Sequence, residues 1–206
     1  MQVSCSTFML YLGINRKFGD IPHHSILFSK DYRKNIHEVA ETLTLSADPS
    51  IYVQNASVTD DTLAPEGKST IYILVPVPNN RSGIDWDKQG DSFRDLILDI
   101  VERRGGYTGL RESIEFEKCI TPADWEEDYR IFEGATFNLA HNFGQLLSFR
   151  PRNRFEEFER CWLVGGGTHP GSGLPTIYES ARISSNNFCK QFGLPYSVPS
   201  SLANKE

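Results

Sequence analysis

Hydrophobic and polar positions alternate with period two over residues 3–14, where Phe8, Leu10, Leu12 and Ile14 share one face. Cys5, Thr7, Met9 and Tyr11 make the opposite face moderately apolar, so the pattern predicts a strand covered on both sides. A second short strand is expected over 25–28. Ser29 is placed to cap a helix whose stripe is Tyr32, Ile36, Val39, Ala40 and Leu43, with Arg33, Lys34, Glu38 and Glu41 facing water. Residues 51–56 and 70–77 read as an antiparallel pair of strands, joined through Asp60-Asp61 and the turn Ala64-Pro65-Glu66-Gly67. From Asp85 a long helix presents Phe93, Leu96, Ile97, Ile100 and Val101 to a core. It stops at Arg103-Arg104-Gly105-Gly106, with cations in the last turn and glycine past the end.

Alternation returns over 113–120, as a strand with at least one wet face, and Thr121-Pro122-Ala123-Asp124 caps a short helix expected to run through Tyr129. Asp124, Glu126, Glu127 and Asp128 are numerous enough to suggest acid/base work, yet negative charge is favoured in a first helical turn in any case. Over 132–149 neither period holds: Phe132, Phe137, Leu139, Phe143, Leu146, Leu147 and Phe149 are interrupted by Gly134, Asn138, His141, Asn142 and Gly144. Core packing is one reading, and the lining of a cavity for a long apolar molecule is the other. Near the end a short apolar run, Trp162-Leu163-Val164, has the length of a buried strand and enters Gly165-Gly166-Gly167 directly. Gly171 and Gly173 follow, then Pro175 in what would be a first helical turn, with a stripe of Ile177, Ala181, Ser184, Phe188 and Phe192. Strand, glycine turn and helix N-terminus make an anion site, with the N–H groups of Leu174, Thr176 and Ile177 as its expected donors.

Composition narrows the function classes. With 206 residues, 39% hydrophobic and 12% aromatic, the chain can build a packed core as one large domain or two small ones. A net charge of −6 and no lysine or arginine block argue against nucleic acid as a partner. The nearest basic cluster, Arg150, Arg152 and Arg154, reads as a solvated turn or as a phosphate contact. Four scattered cysteines form no CxxC pair and are read as reduced thiols, while adjacent His23 and His24 point in different directions on an extended chain. No metal site is expected. The N-terminus lacks a secretory pattern, and no run reaches the roughly 18 to 20 apolar residues of a membrane span. Any meeting with a membrane would be at its surface. The tail over 193–206, with Pro195, Pro199 and several serines, is expected to fray.

The string Trp162-Leu163-Val164-Gly165-Gly166-Gly167-Thr168-His169-Pro170-Gly171-Ser172-Gly173-Leu174-Pro175, with Ser180-Ala181-Arg182 in the helix beyond, resembles the C-terminal flavin-contacting motif of the bacterial-type phytoene desaturase family. Ser4 to Gly13, Pro22 to Ser29, Asp31-Tyr32-Arg33-Lys34, Pro49 to Asn55, Leu74 to Asn79 and Phe149 to Arg154 resemble the same family, in its order. The resemblance implies FAD as cofactor and an acyclic apolar polyene of the carotenoid type as substrate, desaturated by hydride transfer to the flavin. It implies a fold of class α/β: an α+β substrate domain over 1–150 with a mixed, largely antiparallel sheet, then the strand-turn-helix of a Rossmann-like FAD/NAD(P)-binding domain over 151–192, then the tail. Cofactor contacts are expected from Gly166, Gly167, Thr168, His169, Gly173, Leu174 and Thr176. His169 serves equally well as a turn residue bonded to backbone. The resemblance also favours Phe137, Leu139, Phe143 and Leu147 as part of a substrate cavity, and it assigns no catalytic side chain.

The family also carries a GxGxxG turn near its N-terminus with an acidic residue about 20 positions later. This sequence has no such match, so Met1 is expected to head a C-terminal fragment that by itself binds FAD poorly and turns over nothing. The expected setting is cytoplasmic, at a membrane surface, with self-association through apolar faces left uncovered. Two other classes remain open: a flavin oxidase of the amine oxidase or protoporphyrinogen type, and a non-catalytic lipid-binding module.

Overall fold

The computed structural model describes residues 1–196. The chain divides into two compact units, one of Ser4–Thr136 and one of Met1–Val3 with Phe137–Glu206. The tail expected from 193 lies outside the described residues from 197 onward.

The larger unit is built on a five-stranded sheet: β1 (Ser6–Ile14), β2 (His24–Leu27), β3 (Ile51–Asn55), β4 (Ser69–Val77) and β5 (Ile114–Ile120). Their order is β2-β3-β4-β1-β5, with β1 central between β4 and β5. Every neighbouring pair is antiparallel, so the expected mixed sheet is in fact wholly antiparallel among the described strands. One face carries Phe8, Leu10, Leu12, Ile14, Ile71, Ile73, Val75, Ile51 and Val53, all buried. Helix α2 (Trp86–Gly105) joins these in a single core through Phe93, Ile97, Leu98 and Val101. Phe8 stacks on Trp86 at 5.6 Å and meets Phe93 edge-on at 5.1 Å. Asp85 caps α2 by accepting from Lys88 N, and Gly106, at φ 79°, ends it in the left-handed region that glycine takes without cost.

Helix α1 (Tyr32–His37) departs from expectation. Its cap is Asp31, whose carboxylate accepts from Lys34 N, while Ser29 Oγ accepts from Asp31 N one step earlier. The helix then widens into a π turn over Glu38–Thr42, and the extra residue throws the predicted stripe out of line. Val39 stays buried while Tyr32 and Ile36 are exposed. The capping box at Thr121 and Asp124 forms as expected, but α3 (Pro122–Glu127) stops before Tyr129.

In the smaller unit α4 (Leu174–Phe192) is the dominant element; Pro175 falls in its first turn as expected, but of the predicted stripe only Ser184 is buried, while Phe188 and Phe192 are exposed. The strand expected over 162–164 is reduced to one antiparallel bridge between Arg154 and Trp162. Among the described residues of this unit no further strand lies beside it to complete a ladder. Val164 is accordingly 58% exposed instead of buried.

Candidate functional site

Two surfaces carry chemistry, one in each unit. The first is the corner that feeds α4. Phe155 N–H donates to Cys161 O at 2.9 Å and Leu163 N–H to Asn153 O at 2.9 Å, which closes a short hairpin and delivers the chain to Gly165. Gly165 has φ 118° and Gly173, immediately before α4, has φ 107°, values that an L side chain resists. A Cβ at Gly165 or Gly171 would project into open space, so packing does not demand these glycines. Gly165 and Gly173 leave backbone that a planar group can approach, which fits a bound flavin, whereas Gly171 is itself buried. Beside the turn lies an open pocket of about 350 Å³ whose lining includes Arg152, Arg154, His169 and Asn187 and no acidic side chain. An anionic cofactor would find complementary charge there.

Polar side chains hold this corner together from inside. Asn153 Nδ2 donates to His169 O at 2.9 Å and to Ser180 Oγ at 3.0 Å. Ser180 Oγ accepts from Gly165 N at 3.2 Å and lies 2.9 Å from Thr168 Oγ1. One turn further along α4, Ser184 Oγ donates to Leu163 O at 2.6 Å. Asn153, Thr168, Ser180 and Ser184 are all buried, so α4 is fastened to the turn by hydrogen bonds on the face where Ile177 and Ala181 predicted apolar contact. Asn153→Ala removes a donor from the Ser180 hydroxyl and strands the His169 carbonyl, and should lower stability by about 1 to 3 kcal/mol in denaturant titrations.

The predicted cofactor residues fall into three groups. Gly166 is buried with its carbonyl turned inward, and Gly167 follows it, close to the Asn138 side chain. Thr168 and Thr176 are engaged with the protein: Thr168 Oγ1 donates to Gly165 O at 3.0 Å, and Thr176 Oγ1 donates toward Ser172 O and Gly173 O at 2.6 and 2.7 Å. His169 Nδ1 donates to Leu147 O at 2.8 Å, which fixes its tautomer and leaves Nε2 as an acceptor. Gly173 and Leu174 stand at the exposed mouth of the helix. Ile177 is not a free donor as expected, because its N–H already bonds Gly173 O at 2.9 Å and begins the helical ladder.

Of the residues expected to line a cavity, Phe143 is 96% exposed and Leu147 is largely so, both beside single 3₁₀ turns; Phe137 and Leu139 are less open. The basic cluster splits. Arg152 is exposed and pairs with Glu156 at 2.8 Å, but Arg150 is buried and is no solvated turn residue.

The second surface is the sheet face that α2 does not cover. The register puts Ile26, Tyr52, Tyr72, Leu74, Tyr11 and Met9 on it. Tyr11 and Tyr72 are direct cross-strand partners with ring centroids 5.2 Å apart, and Tyr52 meets Tyr72 edge-on at 6.0 Å. Burial pushes the Tyr72 phenol up to about 12, with Tyr11 and Tyr52 adding to the shift. Its tyrosines are therefore uncharged around neutrality and half-buried, and Lys118, the cross-strand partner of Tyr11, stands on the same face at its β5 side. At its margin His24 Nδ1 and Tyr52 Oη lie 2.7 Å apart. The His23 and His24 rings sit 4.2 Å apart instead of diverging, because His23 lies in a bend before β2 begins. Sequence reading gave Met9 and Tyr11 to this face but did not join them to Tyr52 and Tyr72, although these too alternate with the core residues of their strands.

No family model matches the chain. It is 58% identical over 183 residues to a 4,4'-diapophytoene desaturase (4,4'-diapolycopene-forming) of Methylomonas sp, covering 89% of this chain and 36% of that protein. To an all-trans-zeta-carotene desaturase of Myxococcus xanthus it is 42% identical, over 92% of this chain and 36% of the relative. To a 4,4'-diapophytoene desaturase (4,4'-diaponeurosporene-forming) of Staphylococcus aureus (strain Newman) it is 36% identical, over 92% and 39%. The chain thus spans little more than a third of the length of these relatives.

Proposed function

We propose that this chain, which belongs to the bacterial carotenoid desaturase family, is the C-terminal part of an FAD-dependent desaturase acting on phytoene or a similar acyclic polyene. The observation that carries this reading is the glycine turn ending at exposed Gly173, where positive-φ backbone and a positive helix end coincide. Gly167, Gly173 and Leu174 would face the flavin side of the cofactor. Thr168, Asn153 and Ser180 would hold the turn in shape behind them, and His169 would present Nε2. FAD, when bound, supplies the hydride acceptor that such a reaction needs. The residues of this chain orient it, favour negative charge beside it and ask no side chain to move a proton. The single bridge at Trp162 is, on this reading, the edge of a Rossmann-like sheet whose other strands belong to the rest of the enzyme.

The aromatic face of the larger unit suits the polyene. Tyr11, Tyr52 and Tyr72 offer flat, uncharged surface to a long conjugated or conjugating chain, and Ile26 and Leu74 extend it. Among the described residues no helix is long and apolar enough to cross a membrane. Exposed Phe143, Leu147 and Phe149 would reach an apolar phase from the surface, which is where a polyene dissolves, so a cytoplasmic protein attached to a membrane face belongs to the same proposal. Self-association through exposed apolar side chains such as Val164 belongs to it as well.

The test is to purify the full-length protein that contains this segment. Stoichiometric FAD and new conjugated absorbance from phytoene or its C30 counterpart are expected. A colourless protein that still converts the polyene would end the reading.

A further inference from the structure

Of the three arginines between residues 150 and 154, Arg150 alone is withdrawn from solvent, at 2% exposure. All five of its N–H donors go to main-chain oxygen. Nε donates to Gly166 O at 3.1 Å, and Nη2 to Gly166 O at 2.7 Å and Leu139 O at 3.1 Å. Nη1 donates to Gln145 O at 3.1 Å and Ala140 O at 3.3 Å. Among the described residues no carboxylate pairs with it. Burial lowers its pKa, yet a guanidinium stays charged at any pH the protein meets. Burial holds the His141 imidazole below its ordinary value, and the Arg150 charge adds to that lowering.

A buried cation without a counter-carboxylate is costly, and here two effects follow from it. The first is geometric. In a planar trans peptide the N–H points opposite to the C=O, so drawing the Gly166 carbonyl onto the guanidinium turns the Gly167 N–H the other way. The second is electrostatic. The charge sits under the same turn that leads to α4, whose N-terminus adds about half a positive charge of its own.

We propose that Arg150 is a positioning residue for the flavin: it aims the Gly167 N–H by holding the Gly166 carbonyl, and its unpaired charge makes the corner favour the reduced, negatively charged ring over the oxidised one. The inference rests on the flavin reading above. Its test uses the full-length protein and its Arg150→Gln and Arg150→Lys variants, read by FAD dissociation constant, flavin midpoint potential and melting of the flavin-free form. Arg150→Gln should lower the preference for reduced over oxidised FAD about tenfold, which is about 30 mV more negative for a two-electron couple. Arg150→Lys keeps the charge but cannot reach all the carbonyls, so its potential should stay near wild type while FAD binds several-fold more weakly. A Gln variant that melts earlier yet keeps the wild-type potential would reduce Arg150 to a structural role and overturn the proposal. Should the Gln variant fail to fold, the Lys variant decides: weakened FAD binding at an unchanged potential supports the proposal, and wild-type binding overturns it. A colourless wild-type protein would defeat the flavin reading itself, before any variant is compared.

Discussion

Gly173→Val in the full-length protein is expected to strip it of most of its flavin. Gly173 sits at φ 107° and ψ 142°, a region that only glycine occupies readily, so a branched side chain there costs about 1 to 3 kcal/mol or moves the backbone. Its Cβ would also stand 3.4 Å from Thr176 Oγ1, the hydroxyl that closes the first turn of α4. Either response re-aims the N–H groups at the helix mouth, and the affinity for FAD should fall by at least about tenfold, since 1.4 kcal/mol is a factor of ten. The measurement is the ratio of flavin to protein absorbance after gel filtration, with a titration of FAD into the stripped protein. Gly90→Ala in α2 is the control, because a Cβ there meets nothing within 4 Å and alanine favours the helix. Full flavin in the Gly173→Val protein would mean that the cofactor does not lean on this corner.

Tyr72→Asp is expected to abolish polyene conversion while leaving flavin content intact. The phenol lies between Tyr11 and Tyr52 in the middle of the uncovered sheet face, and a carboxylate there would be held against an apolar chain. Desolvating one charge costs several kcal/mol, so kcat/KM should drop on the order of a hundredfold or more. Tyr72→Phe keeps the ring and should convert polyene at close to the wild-type rate. The pair separates this face from the flavin corner, because only the carboxylate variant should fail, and it should fail while yellow. A Tyr72→Asp protein with normal turnover would place the polyene elsewhere. Alkaline stability gives a second reading. Because the folded phenol is raised to about 12, its contribution is complete below the ordinary tyrosine range and is lost as pH rises through that value. Tyr72→Phe should soften that alkaline loss, and Tyr107, also raised to about 12 by burial, should keep part of it.

Where local chemistry decides the outcome, the sequence already told most of the story. Helix α2 carries its own stop and start signals, Asp85 and Gly106, and the period-two runs of β1, β4 and β5 survive in the sheet. Pro175 and the glycines before it mark the first turn of α4. The same local signals fail when an irregular turn intervenes. At α1 the π turn at Glu38–Thr42 breaks the stripe, and no residue type announces it. A three-residue apolar run such as Trp162-Leu163-Val164 cannot say whether neighbours exist to pair with it.

The polar skeleton of the glycine corner before α4 was invisible for a different reason. Asn153 and Ser180 are 27 residues apart, and nothing in a pattern of polar positions distinguishes a side chain facing water from one facing a buried partner. Arg150 makes the point most sharply: beside Arg152 and Arg154 it looks like one more solvated charge. By itself the sequence determined the regular elements, their caps and the family likeness of the glycine turn, since these depend on neighbours within a few residues along the chain. Only the tertiary structure decided that the sheet is antiparallel throughout, that tyrosines from three strands form one face, and that one arginine is buried under the turn. Strand pairing and burial depend on contacts between distant residues, and side chains of the same type acquire opposite roles according to what folding places against them.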